Sequence, residues 1–496
     1  MAGRSRLTRT AALVAGVATA TLAAATLAAC TSTTAGRGST GSPRADGASR
    51  RASGPAAPSA SPSRTAPSSG ASSCPARYPS PDPNRPRMRL SFTVSDDLTT
   101  VTGREQIAFT PDRRITELVF RLTANTRPTV QQGNRIVVRS ATADHGGGRF
   151  TVSPANAAPS TQGGLLHIPF ASPVAAGTTV NASIAFTVTL GQMSFDRFGR
   201  TDGYAWFASA QPLLAWQRGY GWHTEDLIDV TAESATSEAM DVDLTVTAPG
   251  RDTVIASGDP ADPSASSSPR TWHSHLDSAR DVSVSVGPFS VSDTTVGGVK
   301  LRLGAFSPAI RDSLVLEFTR AIRSLVALLG PFPFPSLSVA RLPAGGGGIE
   351  YPSSILMLDG SRLVAVHETA HQYFYAMVGD SQSLHPWLDE AFAQYTEERI
   401  DGDAPNDRAI DAPGRVDSSV ESYGADSDRY YFTTYNKGAA ALHAAERAAG
   451  TGPWDRALRC YVAANAWRIV VPADFQRAIR TLPASIAVLR KAGALP

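Results

Sequence analysis

Between Tyr78 and about Val299 the chain alternates apolar and polar residues in short runs. Among them are LSFTVS (90–95), ITELVFRL (115–122), NRIVVRS (134–140), VNASIAFTVTL (180–190), MDVDLTVTAP (240–249) and DVSVSVGPF (281–289). Gly, Pro, Asp and Asn interrupt the runs, and a period of two with such breaks predicts an antiparallel β domain over 78–299. From about Lys300 the period lengthens. SPAIRDSLVLEFTRAIRSLVALLG (307–330) predicts a long amphipathic helix, SLSVARL (336–342) a strand, and the chain after Gly438 reads as mostly helical to Pro496. The expected fold class is multidomain: an N-terminal antiparallel all-β domain, then an α+β, mostly helical domain over 300–496. A folded length of about 420 residues is too great for one ordinary core, which agrees with two domains.

The first residues predict an address. Arg4, Arg6 and Arg9 precede an Ala/Leu/Val/Thr stretch ending in Leu27, Ala28, Ala29 and Cys30. This predicts a signal peptide over 1–29 and resembles a bacterial lipobox, with a lipid on Cys30 as membrane anchor and an exported protein facing the outside of the cytoplasmic membrane. An uncleaved anchor or a plain secretory signal are the alternatives. Residues 30–77 read as a Ser/Ala/Pro-rich tether that cannot bury a core.

Charge then changes meaning. The whole chain carries +2, but its signal and tether arginines account for all of that and more, leaving −5 for residues 74–496. The folded part has no net basic footprint, so nucleic acid is not an expected partner. The remaining cysteines, Cys74 and Cys460, allow a disulfide in an exported protein, or two free thiols.

Candidate chemistry sits in HETAH. His367 and His371 are four apart, so on a helix both imidazoles leave one face, and Glu368 lies between them. Leu363, Val366, Ala370, Phe374 and Met377 give the helix its apolar stripe, with Ser361 to start it and Gly379 to end it. A second helical stretch, PWLDEAFAQYTEE, holds Glu390, with Pro386 in its first turn and Gly402 at its stop. Two histidines and a carboxylate with one open position describe a catalytic zinc site, one Zn²⁺ per chain, and Glu368 has the chemistry of a general base. An oxyanion donor is also needed. Tyr430, Tyr431 and Tyr435, ahead of an alanine-rich helix, are all eligible.

HETAHQYF, WLDEAFAQYTE and TYNKGAA, in that order, resemble the aminopeptidase N family of gluzincin zinc peptidases, whose usual motifs are HExxHQWF, WLNEGFAxYxE and YEKGA. The family's GxMEN element is matched by Gly347, Gly348, Ile349, Glu350 and Tyr351. The resemblance implies that His367, His371 and Glu390 bind zinc, that Glu368 is the base and that Tyr435 stabilises the oxyanion. It also implies that Gly348, Ile349 and Glu350 bind substrate, with Glu350 holding a peptide's free α-amine. It further implies a saddle-like β domain and a thermolysin-like catalytic domain, here in a lipoprotein form without the large helical C-terminal domain of longer members.

Several positions depart from that pattern. Tyr351 stands for asparagine, Ile349 for methionine, Asp389 for asparagine and Ala391 for glycine. Asp380, Asp389 and Gln394 are candidates to orient the histidines. The aromatic run 204–223, with Trp206, Trp216, Tyr220 and Trp222, reads as core or as cleft lining. The acidic loop 401–428 reads as solvated or as an attractor of cationic substrates. The expected activity is removal of N-terminal residues from peptide substrates. An endopeptidase on the same chemistry is the alternative if Glu350 anchors no amine, and a surface binding module with an inert metal site is the other.

Overall fold

The computed structural model describes residues 74–75, 77–192, 197–230, 236–259, 263, 269–402 and 405–496. The expected signal, Cys30, the tether through residue 73 and Asp403 of the acidic loop lie outside the described residues. Residues 74–496 form one compact unit.

The alternation of the first half becomes strands with one dry face. In Arg87–Val94, Met88, Leu90, Phe92 and Val94 are buried while Arg87, Arg89 and Thr93 are exposed. The strand lies inside a six-stranded sheet ordered Arg270–Ala279, Met240–Ala248, Arg87–Val94, Thr100–Phe109, Val180–Thr189, Arg135–Ala143. Arg87–Val94 runs parallel to Met240–Ala248, placing Leu90 beside Leu244. The domain is therefore not wholly antiparallel, because strands remote in sequence meet there. Phe92 packs edge-on against Phe186 of the same sheet and Phe207 of another, at 6.1 and 5.0 Å between centroids, in a continuous apolar core.

A five-stranded mixed sheet opens the second half, in the order Ser290–Val296, Val299–Ala305, Ser336–Arg341, Ser354–Met357, Gly348–Tyr351. Its first strand was expected in the β domain. Instead Ser290–Val296 turns back on Val299–Ala305 through Gly297 and Gly298, at φ 57° and 92°, the two-residue hairpin that positive φ at both positions permits. The helix Pro308–Leu329 follows, its first turn capped where Ser307 Oγ accepts from Ile310 N at 3.3 Å. Leu314, Phe318, Ala321, Ile322, Leu325 and Leu329 form its buried stripe. The later helices enclose Phe392, which stacks on Phe374 and Trp387 and meets Phe475 edge-on at 5.0 Å.

Cys74 and Cys460 are joined in a disulfide. From there the chain runs as a strap across both halves. Tyr78 Oη donates to Pro331 O at 2.6 Å and Trp467 Nε1 to Pro79 O at 3.1 Å, while Arg85 Nε donates to Asp277 O of the β domain at 2.7 Å. Of the aromatic run, Trp206 and Trp216 are buried, Trp222 is half-buried and Tyr220 is exposed. Among the described residues no helix is long and apolar enough to cross a membrane.

Candidate active site

The two histidines leave one short helix, Arg362–Ala370, started by Ser361 Oγ, which accepts from Leu363 N at 3.2 Å. The helix was expected to reach Gly379 but ends at Ala370, with His371 as its cap. Beyond it the backbone opens into wide turns, in which Ala376 N reaches His371 O at 3.0 Å and Val378 N reaches Tyr373 O at 3.0 Å. Tyr375 takes φ 96°, a conformation no helix contains. The carboxylates come from Asp389 and the following helix, Glu390–Asp401, which stops at Gly402 in a left-handed turn, φ 76°.

These elements bring His367, His371 and Glu390 together. Glu390 Oε2 lies 3.5 Å from His367 Nε2 and 3.4 Å from His371 Nε2. Among the described residues it is a buried oxygen with no conventional hydrogen bond. Ligands about 2.1 Å from a tetrahedral zinc stand about 3.4 Å apart, so the donor set fits the ion in chemistry and in spacing. The opposite nitrogens are engaged. His367 Nδ1 donates to Glu397 Oε2 at 3.0 Å, and His371 Nδ1 bonds Asp389 Oδ1, leaving both Nε2 atoms for a metal.

Asp389 is one of the three orienting residues expected. The other two bond neither histidine: Gln394 donates to Glu398 at 3.1 Å, and Asp380 is buried close to Asp389 and Arg280 with no hydrogen bond to its carboxylate among the described residues. Glu397 was missed in the sequence. Its signal is a spacing of seven from Glu390, two helical turns on one face.

Electrostatics follow from this crowding. Burial opposes charge on His367, yet Glu390 and Glu397 carry its ring up to about 10. Burial would likewise raise Glu390, but the two histidines hold it well below the usual carboxylate range. The site is thus a buried field of surplus negative charge, suited to a divalent cation. Glu368 is pushed up to about 7 by burial, against the pull of His367 and His371. Room for it is made by Gly348, where a Cβ would lie 2.5 Å from Glu368 Cγ.

Glu350 stands on Gly348–Tyr351, the edge strand of its sheet. Its carboxylate lies within 4.8 Å of ligand atoms of His371 and Asp389. Strand alternation puts Gly348 on the same side, whereas the Ile349 side chain points into an apolar cluster with Trp206 and Tyr351. Of the three residues expected to bind substrate, Ile349 therefore has only its backbone to offer. Tyr435 sits in a π-helical turn, Phe432–Lys437, that leads into the helix Gly438–Ala449. Its ring lies parallel to His367, 6° between planes and 5.9 Å between centroids, which places it at the metal site. Tyr430 is buried behind it, 6.0 Å away and edge-on.

The acidic loop is largely occupied. Asp417 meets His385 Nδ1 at 2.7 Å, Asp407 meets Arg447 at 2.8 Å, and Asp426 accepts from Arg429 N at 3.1 Å. Asp401 closes the helix and pairs with Arg362 Nε at 3.1 Å.

No family model matches the chain. A variant of an M1 zinc metallopeptidase from Deinococcus radiodurans superposes with a TM-score of 0.61 over 84% of this chain and 96% of its own, at 18% identity. The fold is that of the two-domain M1 zinc metallopeptidases. A second structure of the Deinococcus radiodurans M1 enzyme, with a Tyr-Ser-Ala substrate bound, gives a TM-score of 0.60 over 85% of this chain and 97% of its own, at 18% identity. In sequence, a leukotriene A-4 hydrolase homologue from Botryotinia fuckeliana is 26% identical over 237 residues, 42% of this chain. The match spans 35% of that relative's length.

Proposed function

We propose that the protein is a zinc aminopeptidase that removes N-terminal residues from peptides. The observation that carries this reading is the Glu350 carboxylate, buried on an edge strand within 4.8 Å of His371 and Asp389, beside a complete His367, His371 and Glu390 donor set. An ammonium paired with Glu350 fixes the scissile bond one residue from the chain end, which is how an exopeptidase measures its substrate. The Tyr-Ser-Ala substrate of the Deinococcus radiodurans enzyme supports peptides as the substrate class.

His367, His371 and Glu390 would hold the ion. When bound, zinc supplies Lewis acidity toward water and the scissile carbonyl. Glu368, buried beside the donor set, accepts a proton from the attacking water and returns it to the leaving amine. The Tyr435 phenol donates to the developing oxyanion. In the cell, the Arg4, Arg6 and Arg9 signal and Cys30 support an exported protein held by lipid on the outer face of the cytoplasmic membrane.

Two variants test the reading. Glu368→Gln is expected to keep one zinc per chain and lose at least about 10²-fold in kcat; unchanged turnover rejects the base. Glu350→Ala is expected to impair cleavage of free-amine peptides far more than of N-acetylated ones, and equal loss on both rejects the anchor in favour of an endopeptidase.

A further inference from the structure

Just after the second histidine the chain makes a turn that takes no part in the proposed reaction. Residues 372–379 are buried and non-helical, and Tyr375 is held at φ 96°. What holds it comes from the other domain. Arg280 and Asp281 follow the strand Arg270–Ala279 and are both buried. Arg280 Nε donates to Tyr375 O at 2.9 Å, its Nη2 to Arg468 O at 2.9 Å and its Nη1 to Ser237 O at 2.9 Å. A Cβ on Gly379 would overlap that guanidinium, so the turn is shaped around it. Tyr375 Oη donates to Asp281 Oδ1 at 2.8 Å, and Ser209 Oγ donates to Asp281 Oδ2 at 2.6 Å. Tyr375 is thus gripped at its carbonyl and at its hydroxyl by consecutive residues of the β domain.

At its other end the same turn grips the amine subsite. Gln372 Nε2 donates to Tyr351 O at 3.0 Å, and Ser353 N donates to Gln372 Oε1 at 2.9 Å. The clamped residues, Tyr351 and Ser353, continue the strand that carries Glu350. Ser283 of the β domain, two residues beyond Asp281, donates to Ser354 Oγ at 2.7 Å. The Glu350 strand and the turn after His371 are therefore fastened to each other, and both are fastened to residues 280–283.

We infer that Arg280 and Asp281 are positioning residues that act through Tyr375 and Gln372 to set the distance between the Glu350 carboxylate and the metal ligands. The inference rests on the proposed role of Glu350 as the amine anchor. The two domains then do more than wall a cleft: a dipeptide of the β domain fixes how far from the chain end the peptide is cut. A shift of about 1 Å in such spacing costs about 10²-fold in productive binding and reaction combined.

The test uses the full folded chain loaded with zinc, and Leu-Gly-Gly with its N-acetyl counterpart as probes. Tyr375→Phe and Asp281→Ala are expected to retain one zinc per chain and raise KM for Leu-Gly-Gly at least tenfold, with kcat changed less than threefold. Calorimetric affinity for intact Leu-Gly-Gly in the Glu368→Gln background is expected to fall by the same factor, while that for the acetylated peptide stays constant. Asp281→Asn, which keeps an acceptor for the Tyr375 hydroxyl, is expected to restore KM to within twofold. Gln372→Met, at the far end of the relay, is expected to copy the Tyr375→Phe signature and decides the matter if the other two do not fold. Unchanged KM in a zinc-loaded variant overturns the relay. So does a loss shared equally by both peptides and unrescued by Asp281→Asn, because that is a purely structural effect. If Glu350→Ala itself fails to separate the two peptides, it is the anchor that fails, and that result is read independently of the 280–281 variants.

Discussion

A tight helix crossing lies between Glu390 and Tyr435, at Ala391 and Gly438, and it can be loosened by one methyl group. Gly438 faces Ala391, the residue after Glu390, so closely that a Cβ on Gly438 would overlap the Ala391 Cβ. Gly438 is in ordinary helical conformation, φ −61°, so alanine there is not excluded by backbone strain and gains about 1 kcal/mol in helix propensity. Overpacking costs about 1–3 kcal/mol, so Gly438→Ala should fold with a net loss of no more than about 2 kcal/mol. To admit the methyl the two helices must part by about 1 Å, and Tyr435, one turn upstream, moves away from His367 and Glu390 by a similar amount. Displacement of that size costs about 10²-fold in rate, or about 2.7 kcal/mol of transition-state stabilisation. The assay is kcat on a free-amine peptide with zinc content measured in parallel. Adding Ala391→Gly restores the space from the other side and should return kcat to within about threefold of the parent, a coupling expected of side chains in contact. A single variant with at least half the parental kcat, or a double variant no better than the single, refutes the reasoning.

The remaining predictions concern what surrounds the site. Glu397→Ala and Asp389→Ala should each weaken zinc affinity by about 10–100-fold in competition with a chelator, because each frees a histidine Nδ1 from its partner. Gln394→Ala, whose amide donates to Glu398, should leave that affinity unchanged. Glu238, half-buried beside Arg218, whose backbone N–H reaches it at 2.8 Å, is pushed by burial from 4.5 up to about 7. An acid raised on folding binds its proton more tightly in the native chain, so stability falls as pH rises through that interval. In Glu238→Gln that fall should be smaller, by up to about 3 kcal/mol between pH 5 and pH 8 in denaturant melts, and equal pH slopes in the two proteins would contradict the assignment.

The site was legible in the sequence where its geometry is local. His367, Glu368 and His371 are fixed by helical spacing, and the order of motifs pointed to Glu390, Glu350 and Tyr435. What escaped was non-local or set by tertiary contacts. Glu397 meets His367 across thirty residues, and only its spacing from Glu390 marks it. The helix that ends at Ala370 carries its apolar period on to Met377, but that period serves a buried turn shaped by Arg280 instead of a helix face. Ile349 was grouped with Glu350 by motif, and strand alternation sends its side chain the other way. Ser290–Val296 alternates like the β domain before it, and its membership of the next sheet depends on a two-glycine hairpin. The parallel neighbours Arg87–Val94 and Met240–Ala248 leave no local trace at all.

The disulfide between Cys74 and Cys460, 386 residues apart, determines where an outside pull is felt. Tension on the chain ahead of Cys74 passes to Thr451–Asn465, a helix whose Trp454 and Tyr461 pack on Phe475 in the catalytic half. The strand Arg87–Val94, in the middle of its sheet, lies past that link and is shielded by it. In a reducing medium the same tug is left to the strap bonds at Tyr78, Pro79 and Arg85, and beyond them to that strand.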